Sequence, residues 1–326
     1  MKQILHIVLI FILVPFLHIS CEKIPSTTVS EGLVQIKFNV YSANSTKSAS
    51  LTHRDVINSL DIFVFKAETG ELISYDNIKG ESISLYLQRG VLHDICFIAN
   101  APKNSFDNIK YYAELETSVS NLIDNHEAYV MQGKESRMFL NDGNLNVEIS
   151  RLCSKITVDA ITPKFMETAI SQQHVVLKRM FLMHSSPVIS YFGGKCISDV
   201  LYNDLGFDTS LDTKIQNLIS YGYDKIIVDS SKLDLNTSLL TYSIDESDLI
   251  VSQTKLVLEV EIAGIPNYYT AQLPRLQPNH EYLIENIKLL GFGSNIPGEL
   301  IDRVDVTVNI IVNSWGGVVD KDAVMD

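Results

Sequence analysis

The sequence predicts an all-β protein with minor helix, arranged as two tandem β-sandwich domains, and three observations carry that expectation. Apolar and polar residues alternate with period 2 in many short runs, turn-forming residues separate those runs, and only two stretches show helical spacing. At 326 residues with 46% hydrophobic content, the chain is long enough for two packed cores.

The elements follow in chain order. Lys2 precedes an apolar run from Ile4 to Leu17, which leads into His18-Ile19-Ser20-Cys21. The run is shorter than the roughly 20 residues of a spanning helix and is interrupted by His6 and Pro15, so residues 1–20 read as a cleavable export signal. Cys21 is the candidate lipidation site, with palmitate-type acylation tethering the chain to a membrane surface without spanning it. Ordinary signal cleavage nearby, leaving Cys21 a plain thiol, is the alternative. Residues 21–32, polar and containing Pro25, read as a lipid-proximal tether.

Val34, Ile36, Phe38 and Val40 alternate with Gln35, Lys37 and Asn39, which predicts a half-buried first strand. The small polar stretch from Ser42 to Ser50 contains Lys47 and reads as an exposed loop open to a trypsin-like protease, with Arg54 as a second basic candidate. Further strands are expected at Leu60–Phe65, Ile83–Leu87, Ile95–Ile98, Val147–Ile149, Ile156–Ile161, Val175–Leu182, Leu256–Ile262 and Val304–Val312. Glu68-Thr69-Gly70-Glu71 and Asn141-Asp142-Gly143-Asn144 read as hairpin turns. A helix is expected over about 105–123, started by Ser105 and spaced by Tyr112, Leu115, Val119, Leu122 and Ile123, with a weaker one over Lys214–Ile219.

Charge and chemistry exclude several functions. A formal charge of -13 opposes binding to nucleic acid, and loss of Lys2 with the signal makes the chain more negative. His53, His93, His126, His174, His184 and His280 show no metal-ligand spacing, and neither a Gly-x-Ser-x-Gly nor a phosphate-binding loop is present. No catalytic residue, metal or cofactor is therefore expected, and the chain reads as a non-enzyme. Beyond Cys21, the spacings of Cys96, Cys153 and Cys196 form no disulfide framework, and Cys96 and Cys153 read as buried free thiols.

Several landmarks resemble the fimbrillins of Bacteroidales, the FimA-type subunits of type V pili. They are Leu60-Asp61-Ile62-Phe63-Val64-Phe65 with Gly70, Phe97-Ile98-Ala99-Asn100-Ala101, Ala128-Tyr129-Val130-Met131-Gln132-Gly133, and Val147 to Ile156 containing Arg151. At the C-terminal side, Pro278-Asn279-His280-Glu281-Tyr282-Leu283-Ile284, then Gly291 to Pro297, then alternating Val304 to Val312 before Trp315 complete the order. The resemblance implies transthyretin-like sandwiches, with domains at 33–150 and 151–326.

It also implies a structural subunit of an outer-membrane fimbria that supports adhesion and biofilm formation. Such a subunit is exported as a lipoprotein precursor, loses its first strand to a trypsin-like protease, and partners other subunits by donor-strand exchange. Loss of an edge strand exposes unpaired N–H and C=O groups beside an apolar trough, which a strand from a neighbour can satisfy. Lys47 stands where stalk subunits carry the cleaved arginine. The candidate donor is the C-terminal tail, with Val318, Val319, Ala323 and Val324 as its apolar residues and a frayed end as the alternative. Trp315 reads as a core or lid residue. Two further readings are an uncleaved fimbrial anchor lipoprotein and a surface glycan-binding lipoprotein using Tyr191, Tyr268 and Tyr269 as platforms. The adhesion ligand is not specified by the sequence.

Overall fold

The computed structural model describes residues 32–42, 53–165, 173–192, 198, 200–227, 231–243, 253–300 and 306–315. In the first half the strands are β1 (Leu33–Ser42), β2 (Leu60–Lys66), β3 (Leu72–Ile78), β4 (Ser82–Gln88), β5 (Leu92–Ala99), β6 (Val119–Asn121), β7 (Met131–Met138) and β8 (Gly143–Arg151). Seven of them form one ladder in the order β3-β2-β5-β7-β8-β1-β4.

That ladder folds over on itself to make the sandwich. β7 and β8 pair only at Met131 with Arg151 and Gln132 with Ser150, and beyond those pairs the strands part into two layers. Gly133 sits at the crossing. A Cβ there would lie 2.8 Å from the Glu148 carbonyl and 2.8 Å from Ile149 Cγ2, so only glycine permits the close approach. The expected hairpin at Asn141 to Asn144 is corrected accordingly: the strands flanking it diverge into different layers, and Asp142 Oδ1 instead accepts the Gln35 N–H of β1 at 2.8 Å. The turn at Glu68 to Glu71 does join paired neighbours, β2 and β3, with Gly70 at φ 69°. The rings of Phe38 on β1 and Phe97 on β5, 5.5 Å apart, meet across the sandwich.

The second half places β9 (Ser154–Pro163), β13 (Leu233–Thr241), β16 (His280–Leu289) and β17 (Val306–Ser314) in one sheet, ordered β13-β9-β16-β17. β10 (Val175–Met183), β12 (Ser220–Ile226), β14 (Lys255–Ile262) and β15 (Ile265–Gln272) form the other, ordered β12-β10-β14-β15. The fold is thus mostly β, in sandwich layers, with two α-helices among the described residues. A short ribbon of β6 with β11 (Val188–Ser190) joins the halves, and one apolar cluster runs from Val34 to Trp315. The Tyr242 hydroxyl, from the second half, is 2.8 Å from Ser120 Oγ and accepts from Asn125 Nδ2 at 2.7 Å, both in the first half.

The long helix expected over 105–123 is not formed. α1 covers only Tyr112–Thr117, where Glu114 accepts the Lys110 and Tyr111 N–H groups at 2.6 and 3.0 Å, while Ser105 bonds the Pro102 carbonyl within a turn. Val119 to Asn121 turn extended because pairing with β11 and the buried Ser120–Tyr242 contact outweigh local helical preference. The weaker helix is present as α2 (Thr213–Ile219), with Asp212 Oδ1 accepting the Lys214 N–H at 2.7 Å.

Candidate strand-exchange slot

β1 alternates strictly between a buried and a solvent-facing side. Val34, Ile36, Phe38 and Val40 are 0–2% exposed, while Gln35 and Lys37 face outward. Phe38 packs on Phe97 and stands edge-on to Phe139 with centroids 6.2 Å apart. At about 1.5–3 kcal/mol per fully buried apolar side chain, these four contribute on the order of 6–12 kcal/mol gross.

The pairing corrects one expectation. β1 is not an edge strand: β4 runs antiparallel along one side, with Val34 opposite Leu87 and Phe38 opposite Ile83, and β8 runs parallel along the other, with Phe38 opposite Leu145 and Val40 opposite Val147. Withdrawing β1 would leave a slot between two strands, with unpaired backbone groups on both walls and an apolar floor. Such a slot accepts an extended segment with apolar residues at every second position and backbone bonds on both sides.

The processing candidates fall differently. Arg54 lies in a 3-10 turn, His53–Asp55, half-buried, with its carbonyl accepting the Tyr129 N–H at 2.9 Å. The next residue, Asp55, is 6% exposed and ion-paired to Arg151. A protease needs an extended, accessible segment, so the folded geometry protects the bond after Arg54. Lys47, Cys21 and the tail residues Val318, Val319, Ala323 and Val324 lie outside the described residues.

Two of the three proposed glycan platforms are core residues. Tyr191 and Tyr269 are each 1% exposed, and the Tyr269 hydroxyl donates to the Gly291 carbonyl at 2.7 Å. Tyr268 is half-buried. Trp315, 6% exposed, is a core residue as expected.

The thiols and imidazoles are structural. Burial pushes Cys96 and Cys153 up to about 12, which keeps both protonated and unreactive. His93, 1% exposed, is held below the usual imidazole range by burial. Among the described residues no cluster of His, Cys, Asp or Glu has metal-binding geometry.

Sequence reasoning passed over the roles of Asn100 and Arg151. Asn100, at φ 61°, accepts the Asn58 N–H at 2.8 Å and donates to the Val56 and Tyr129 carbonyls at 2.9 Å each, which ties the approach to β2 against the approach to β7. Arg151, 1% exposed, continues the buried positions Val147 and Ile149. A charged residue in phase with a strand's apolar face was the available signal.

Residues 34–179 match the family model of the major fimbrial subunit protein (FimA), starting at the first buried residue of β1 and ending within β10. The match spans less than half of the chain, and over that stretch the chain is similar to the FimA-type fimbrillins. That family is one of fimbrial subunits, structural proteins rather than enzymes. The fold resembles a putative cell adhesion protein from Bacteroides eggerthii, with TM-score 0.69 and 14% identity over 87% of this chain and 96% of that one. A putative cell adhesion protein from Parabacteroides distasonis gives TM-score 0.63 and 16% identity over 90% and 100%. The fimbrilin FimA of Porphyromonas gingivalis gives TM-score 0.63 and 11% identity over 87% and 98%. No curated protein sequence matches the chain.

Proposed function

We propose that this chain is a fimbrillin, a structural subunit of an outer-membrane fimbria, exported as a lipoprotein through Cys21 and assembled with other subunits by donor-strand exchange, in support of adhesion and biofilm formation. The domain boundary of this reading is 150/151, at the last residue of β8 and just before β9. One observation carries the reading: β1 fills an apolar slot walled by β4 and β8, with four side chains buried to 2% exposure or less. A trypsin-like cut after Lys47 frees β1 from the rest of the chain, and the C-terminal tail of a neighbour, through Val318, Val319, Ala323 and Val324, takes its place. The protected bond after Arg54 supports cleavage upstream of the 3-10 turn.

N-terminal sequencing of the protein recovered from outer membranes tests this. A start at Ser48, with heat-sensitive ladders on denaturing gels, supports the exchanging subunit. A blocked Cys21 with no ladder overturns exchange and identifies an uncleaved anchor.

A further inference from the structure

Arg151 holds together parts of the chain that are far apart in sequence. Its Nε donates to Asp55 Oδ1 at 2.9 Å and Nη2 donates to the same carboxylate, while Nη1 donates to Asn279 Oδ1 at 3.0 Å and to the Trp315 backbone carbonyl at 3.1 Å. The guanidinium also lies 4.6 Å from the Trp315 ring centroid and 5.5 Å from that of Tyr129. Asn279, in turn, accepts the Trp315 N–H on its carbonyl at 2.8 Å and donates its own N–H to the Cys153 carbonyl at 3.0 Å.

Two features make this placement consequential. Arg151 ends β8, a wall of the slot, and Ile149 two residues earlier is the register partner of Ser42 at the end of β1. Trp315 is the residue from which the C-terminal tail departs, and among the described residues the strand before it, β17, pairs only with β16. An edge strand held on one side opens bond by bond from its end, beginning at the His280–Ser314 pair. A buried guanidinium bonded through all three of its nitrogens holds the next carbonyl and stops that opening at Trp315.

We propose that Arg151 is a positioning residue for strand donation: by clamping the Trp315 carbonyl to β8 it roots the tail, so that a second copy of this chain receives a pre-aimed donor strand. The inference rests on the exchange reading above. Rooting lowers the ordering cost that a loose donor must meet on binding, so its loss weakens donation while leaving the slot intact.

The test separates donor from acceptor. Cleaved wild-type chain, immobilised sparsely, is the acceptor, and uncut full-length chain, whose slot is filled, is the donor. Arg151→Met leaves the Asp55 carboxylate buried and unpaired, so the double variant Arg151→Met/Asp55→Leu, which removes both charges, guards against misfolding. As donors both variants should bind the wild-type acceptor about tenfold or more weaker. As cleaved acceptors, the same variants should bind a synthetic peptide of residues 316–326 within about twofold of wild type. Equal donor strength in the folded double variant and in wild type overturns the inference and leaves exchange standing. Parallel loss of both activities also overturns it, because the role is then general stability. Failure of wild-type donor to bind wild-type acceptor overturns exchange itself, and the inference with it, before any variant is made.

Discussion

Replacing Phe38 by alanine isolates what β1 contributes to the precursor. The side chain is 0% exposed and packs against Phe97 on β5 and Phe139 just after β7, so the vacated volume cannot collapse readily. Truncation of a fully buried phenylalanine costs about 3–5 kcal/mol, from lost transfer energy and the cavity left behind. Part of it is ring–ring contact, worth about 0.5–1.5 kcal/mol per pair. Urea unfolding of the uncut chain, followed by tryptophan fluorescence and circular dichroism together, should show that loss as a lower midpoint for the first half. The outward-facing Lys37→Ala in the same strand should stay within about 0.5 kcal/mol of wild type. After cleavage and replacement of β1 the Phe38 variant should be indistinguishable from wild type, because the residue has left. A cost under about 1 kcal/mol in the uncut chain would refute the claim that β1 is the slot's apolar filling.

Four further outcomes follow from the same geometry. Asn100→Ala removes three close hydrogen bonds and places a Cβ-bearing, non-amide residue at φ 61°, and should lower unfolding free energy by about 2–3 kcal/mol in a denaturant titration. Gly133→Val forces a side chain into the β7–β8 crossing and should cost at least about 1–3 kcal/mol, read as reduced yield and a lower thermal midpoint. Because burial depresses the folded-state pKa of His93 below its unfolded value, the unfolded chain binds more protons at mildly acidic pH. Stability is therefore full above about pH 6.5 and falls as pH drops toward the folded pKa, and His93→Gln should flatten that slope in melts from pH 7 to 5. Limited trypsin digestion of the folded chain should leave the bond after Arg54 intact until denaturant is added, as read by mass spectrometry.

Much of the architecture was legible: period-2 alternation reports burial on one face at Leu33–Ser42, while the strands at Leu60, Ile95, Val175 and Leu256 are near-continuous apolar runs buried on both faces. Among the strands not expected were β7, β12, β13, β15 and β16: Met131–Met138 and Ser220–Ile226 are mainly polar or exposed, and Ile265–Gln272 opens with Pro266. The helix over 105–123 failed because spacing within a segment says nothing of a distant partner, here β11 and Tyr242, that draws residues 119–121 into a strand. The alternation Val34, Ile36, Phe38, Val40 located a strand with one buried face, yet no local pattern shows how many neighbours a strand has, and β1 is paired on both sides rather than at an edge. The aromatic platforms failed likewise, since Tyr191 and Tyr269 are buried in the core, Tyr269 with its hydroxyl on the Gly291 carbonyl.

The most direct test is peptide-level hydrogen exchange with mass spectrometry on assembled fimbriae. If strands are exchanged, the subunits lack residues 33–42 while the amides of β4 and β8 remain as protected as in the uncut chain, because a second copy occupies the slot. Fimbriae whose subunits still contain β1, or whose β4 and β8 amides exchange freely, would contradict the account.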